Sequence, residues 1–137
     1  MNEHGLIAKA ERAAASARLL LDAGDLDGAC NRAYYAMFDA ARAALIASGA
    51  PILPEAIRTH GGLISAFSLH LVKIGRVAVD LGRTINKAED LRHLADYTGK
   101  SVDHEQAAWV VRQARVFVQV MRDEFMPRES GGRPEPS

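Results

Sequence analysis

Between Glu89 and Tyr97 the chain reads Glu-Asp-Leu-Arg-His-Leu-Ala-Asp-Tyr, its densest run of groups able to bind or move charge. On a helix, Arg92 and Asp96 are neighbours on one face, and His93 and Tyr97 share the adjacent one. Glu89 lies one turn before both Arg92 and His93. A guanidinium offers phosphate a bidentate fork, and an imidazole offers a proton near neutral pH. Beside a phenol, these groups could bind the phosphate of a nucleotide or of RNA. The same spacing also describes a solvated ladder of ion pairs with Tyr97 anchoring the helix end. Pattern alone leaves both readings open. The second candidate is Arg58-Thr59-His60-Gly61-Gly62. Thr59 can cap a helix whose first free amides suit an anion, with Arg58 and His60 alongside. A plain capped terminus with polar neighbours explains it equally well.

Other chemistries find little support. The chain has no Gly-rich phosphate loop and no Gly-x-Ser-x-Gly elbow. None of His4, His60, His70, His93 and His104 has a partner at zinc-motif spacing, so neither a metal nor a cofactor is expected. Cys30 is the single cysteine and falls on an apolar stripe, where it reads as a small core residue of a reducing compartment. Seventeen basic residues balance seventeen acidic ones, so any contact with RNA must come from a local patch. There is no signal-like start and no apolar run of membrane-spanning length, and a cytoplasmic protein is expected.

The elements that would position these groups are helices. Asn31–Leu45 is apolar over most of its circumference. Ala29, Ala33, Ala36, Ala40, Ala43 and Ala47 form one stripe, and Cys30, Tyr34, Met37, Ala41 and Leu45 form a second. Surface helices normally show one stripe, so this one should be central. Asn31, Tyr35, Asp39 and Arg42 follow the remaining polar edge. Before it, Leu6–Ala23 keeps a helical period, and in Gly24-Asp25-Leu26-Asp27 the glycine ends one helix and either aspartate can cap the next, predicting an antiparallel hairpin.

Pro51 and Pro54 predict a non-helical loop over 50–55. A third helix begins near Thr59 and aligns Leu63, Phe67, Leu71 and Ile74 as far as Gly75. A fourth carries Val77, Leu81, Ile85, Ala88, Leu91 and Ala95 to about Gly99. Ser101 or Asp103 caps a fifth, with Ala107, Val110, Ala114, Phe117, Met121 and Phe125 in register. No stretch alternates like a strand. The expected fold is all-α, an antiparallel bundle of four or five helices over residues 1–126, with a disordered tail at 127–137. The surplus apolar surface of the central helix also suggests a homodimer.

Asn31–Leu45 (Asn-Arg-Ala-Tyr-Tyr-Ala-Met-Phe-Asp-Ala-Ala-Arg-Ala-Ala-Leu) resembles the signature helix of the HEPN superfamily. Arg58-Thr59-His60-Gly61 and Arg92-x-x-Ala95-Asp96-Tyr97-x-Gly99 match the same branch in order, and the resemblance spans Leu6 to Phe125. It implies a helical bundle that forms homodimers and a partner bearing a minimal nucleotidyltransferase domain, in toxin–antitoxin or defence-like pairs. Many members are metal-independent ribonucleases whose arginine is followed, after four to six intervening residues, by a histidine. Here Arg92 has no such histidine, and Asp96 and Tyr97 stand in that region. The resemblance therefore implies a dimeric subunit binding RNA or nucleotide phosphate through Arg92, Asp96 and Tyr97. Two alternatives stay open: an active ribonuclease using Arg92 with Asp96, Tyr97 or His93, and a non-catalytic helical adaptor.

Overall fold

The computed structural model describes residues 2–97, without the Tyr97 side chain, and residues 102–126. The expected stop near Gly99, the Ser101 cap, the placement of Tyr97's ring and the 127–137 tail lie outside the described residues.

Five α-helices and no strand occur among the described residues: α1 (Glu3–Asp22), α2 (Leu26–Ala47), α3 (His60–Phe67), α4 (Val79–Tyr97) and α5 (His104–Phe125). The protein is all-α, as its periodicities predict. Asn2 caps α1 by accepting from Gly5 N at 2.7 Å, so the helix begins at Glu3, three residues before the start that the apolar period marked. Gly24 turns the chain at φ +85°, a value that β-carbon sterics discourage, and Asp25 then caps α2 by accepting from Gly28 N at 2.9 Å. The first two helices thus form the expected hairpin. Asp103 opens α5 with a reciprocal capping box to Gln106.

Helix α2 is the hub and packs against α1, α3, α4 and α5. Ala29, Ala33, Ala36, Ala40 and Ala43 are all fully buried, as are Cys30, Met37, Ala41 and Leu45. Both stripes are therefore used inside the protomer, where the alanines let neighbouring backbones approach closely. That removes the surplus apolar surface from which the sequence suggested a dimer. Phe67 stacks on Phe117 at 5.8 Å between ring centres and ties α3 to α5. Burial and the nearby Asp27 and Asp96 carboxylates push the Cys30 thiol up to about 11, so it is an unreactive core group.

Three local expectations need correction. Within the proline loop, Pro54–Ile57 winds into a 3₁₀ turn, because proline's fixed φ suits a first helical position. Ile74 is exposed rather than aligned with Leu71: the chain winds as a π-helix over Ser68–Val72, with Lys73 N donating to Ser68 O at 2.9 Å. This wider winding shifts every following side chain off the 3.6-residue register. Val77 is buried but precedes α4, its amide donating to Leu71 O at 3.2 Å.

The start of α3 is held by a close approach. A β-carbon at Gly62 would run into the Ala56 carbonyl oxygen and lie 3.1 Å from Thr59 Oγ1, whereas one at Gly61 would meet nothing. Gly62→Ala should therefore cost about 2 kcal/mol, as overpacking against a backbone that cannot give way. Gly61→Ala should be neutral or slightly stabilising. Urea denaturation of the pair checks this.

A basic cleft around Arg92

Seven residues on one side of α2 (Asn31, Arg32, Tyr34, Tyr35, Phe38, Asp39, Arg42) meet Lys9 of α1, Arg58 and His60 at the α3 entrance, and Glu89 and Arg92 of α4. Together they line a cleft of about 510 Å³. Five permanent cations face two carboxylates there, so the lining is positive in a chain whose total charge is zero. This is the local patch that a neutral protein needs in order to attract an anion.

Arg92 is buried, only 9 % exposed. Its Nε donates to Glu89 Oε1 at 3.0 Å and its Nη2 to Glu89 Oε2 at 3.2 Å, a two-pronged pair. Nη1 donates to Asp96 Oδ2 at 3.1 Å. The guanidinium also lies over the rings of Tyr34 (5.1 Å) and Tyr35 (5.6 Å), which cover it from α2. The Glu89–Arg92–Asp96 ladder is present, with Arg92 and Glu89 largely buried rather than solvated. Asp96 is exposed, and Asn31 Nδ2 reaches it at 3.5 Å. His93 pairs with Glu89 at 3.2 Å, is exposed, and does not line the cleft.

His60 is the histidine that does. Thr59 caps α3, accepting from Gly62 N at 3.1 Å, and His60 is the first residue of the helix. Its Nδ1 is 2.8 Å from the Tyr34 hydroxyl and its Nε2 is 3.0 Å from Asn86 Oδ1. Burial first, and then the Glu89 carboxylate, raise the Tyr34 pKa well above its usual value, so the phenol keeps its proton. The ring is thus held at both nitrogens, by Tyr34 on α2 and by Asn86 on α4. Arg58, exposed where the 3₁₀ turn ends, completes this end. The structure thus brings Arg58, His60 and Arg92 into one cleft, although the sequence offered them as two separate candidates.

Lys9, Arg32, Arg42 and Tyr34 were not singled out as site residues. The signal available was the helical spacing of Arg32, Tyr35, Asp39 and Arg42, which puts them on one edge of α2. Asp39 lies on that edge but is only 5 % exposed. Lys9 approaches it at 3.9 Å and Arg42 at 3.8 Å, too far for strong pairing. Among buried side-chain nitrogens and oxygens of the described residues, Arg42 Nε lacks a hydrogen-bond partner.

Desolvation raises the Asp39 pKa above its ordinary 3.8, and Lys9, Arg42 and Arg32 only partly oppose this. A carboxyl whose folded pKa is raised favours folding while protonated, and that contribution disappears as pH rises from about 4 through the folded value. Asp39→Asn should therefore be more stable than wild type at pH 7 and flatter in urea midpoint across the acid range. It should also bind anions more tightly, since it removes one of the two opposing charges.

Among the described residues, no three histidine, cysteine or acidic side chains assemble as a metal ligand set. No described helix is long and apolar enough to cross a membrane.

Comparison with known proteins agrees with this architecture. A UPF0332 protein of Gloeobacter violaceus is 35 % identical over 120 residues, covering 86 % of this chain and 91 % of that one. Two Methanocaldococcus jannaschii proteins, each carrying the name putative toxin, are also similar. One is 34 % identical over 113 residues (82 % of this chain, 81 % of its own), and the other 29 % over 114 residues (82 % and 74 %). The HEPN domain family matches residues 4–124, the stretch that runs from the first turn of α1 to the last of α5. This chain belongs to the HEPN domain family.

Proposed function

We propose that this protein is the toxin-type member of a toxin–antitoxin-like pair, and that its α2–α4 cleft holds a phosphate of RNA or of a nucleotide. The observation that carries this reading is the positive cleft in a chain of zero net charge. Arg32 and Arg58 have no ion pair among the described residues and are the cations open to an incoming phosphate. Arg92, oriented by Glu89, adds its field from the wall, and an entering phosphate competes with the more exposed Asp96 for Nη1. Partly exposed Tyr35 presents aromatic surface beside these charges, the combination on which unpaired bases stack.

Two relatives named as toxins support the toxin-antitoxin assignment. The family resemblance supports a homodimer and a nucleotidyltransferase-domain partner, and the single core cysteine is in keeping with a cytoplasmic setting. The test is growth on expression, with and without the partner gene, alongside binding of a short single-stranded RNA and of ATP. A protein that neither slows growth nor binds either ligand would refute the reading.

A second reading, ribonuclease activity without a metal, is favoured by one observation. The histidine that the sequence lacks after Arg92 is present in space as His60, in the same cleft and in contact with Tyr34. Both ring nitrogens are engaged, so the imidazole takes a proton from a ribose 2′-hydroxyl that displaces Tyr34 at Nδ1. RNA cleavage in the presence of a chelator, lost in His60→Ala and kept in His93→Ala, would establish this reading. Cleavage that depended on His93 instead would overturn it.

A further inference from the structure

A second groove, of about 760 Å³, runs between α1 and α5 and shares no lining residue with the basic cleft. Its floor is apolar and shallow: Ala14 and Ala15 on one helix, Val111, Val116 and Val120 on the other. Val116 and Val120 lie off the buried stripe of α5, at 50 % and 36 % exposure, on a face that should be polar if it met only water. Leu19, one turn beyond Ala15 on α1, is 69 % exposed. Small residues on one wall and valines on the other leave the shape that an approaching helix fills.

The rim states which helix. Glu11 is bridged to Arg122 at 2.9 Å, and Arg18 to Asp22 at 3.2 Å. Arg112 and Arg115, one turn apart on α5, have no acidic partner among the described residues. The lining carries three arginines against one glutamate, so a second copy apposed at this groove would bring two net positive surfaces together, which disfavours that occupant.

We propose that this groove docks an amphipathic helix of a partner protein, with its apolar stripe on Val116 and Val120 and its acidic flank against Arg112 and Arg115. The groove is thus a protein-recognition surface separate from the phosphate cleft, and the proposal holds whether or not that cleft binds RNA.

The probe is a synthetic helix of about 20 residues with a Leu/Ala stripe flanked by glutamates, labelled for fluorescence anisotropy with the full chain. Its counterpart carries lysine in place of every glutamate. The acidic helix should bind at least tenfold more tightly than the basic one, and Arg112→Glu with Arg115→Glu should reverse that order. Val116→Asp should weaken the acidic helix about tenfold. All three positions are exposed, and circular dichroism confirms that the variants stay folded. Equal binding of the two helices, no binding of either, or an order unchanged by the double variant would overturn the proposal. So would a wild-type homodimer, seen by sedimentation, that the double variant dissociates, because the groove would then belong to a second copy.

Discussion

Arg92→Ala should unfold at lower urea than wild type, losing about 3 kcal/mol, the usual cost of removing one partner from a buried ion pair. The loss comes mainly from what is left behind. Glu89, largely buried beside Arg92, loses both prongs of its pair, and Asp96 loses its Nη1 donor. The faces of Tyr34 and Tyr35 also lose the cation they cover. An exposed pair would cost at most about 1 kcal/mol, so the size of the effect separates a wall residue from a surface decoration. Glu89→Gln combined with Arg92→Met should recover much of the stability, because it leaves no uncompensated buried charge. It should not recover phosphate binding, because the positive field at the α4 wall is gone. The pair of variants therefore divides the structural role of Arg92 from its role toward an anion.

The second large effect should come from Arg32→Glu combined with Arg58→Glu. Both positions are outside the core and neither is ion-paired among the described residues, so the fold should survive, with some stability lost at neutral pH because Arg32 partly offsets the buried Asp39 carboxylate. Binding of single-stranded RNA should fall about a hundredfold at physiological salt. The slope of log affinity against log salt should shrink by about two, one for each phosphate contact removed. Loss of affinity with an unchanged slope would mean that these arginines do not meet phosphate. Unchanged affinity would place the RNA elsewhere.

How much of this could be read from the chain depends on the distance over which each feature is decided. The caps and the two stripes of α2 are local matters of residue type and period: Asp25, Thr59 and Asp103, each among the candidates that the sequence offers, cap their helices, and the stripes are buried. The π-helix at Ser68–Val72 is not local in that sense: a helical period continues through Ile74, while Leu71 is fully buried within the wider winding and Ile74 is exposed. Asp39 looked like one member of a polar edge, yet α1 lies over it, and no residue on α2 announces that. Arg92 failed in the same way. Its i,i+3 and i,i+4 partners were legible, but its burial comes from Tyr34 and Tyr35, well over fifty positions earlier in the chain. The union of Arg58, His60 and Arg92 in one cleft was beyond spacing arguments, because α2 carries the tyrosine that joins them.

The central claim is that phosphate of RNA or nucleotide enters the cleft where His60 sits. The most direct measurement is nuclear magnetic resonance of the five histidine rings while a short single-stranded RNA is titrated into the full chain. The account predicts that the His60 ring signals shift saturably and are returned by excess inorganic phosphate, while those of His4, His70 and His104, which do not line the cleft, stay in place. RNA that binds while His60 remains unmoved would contradict it.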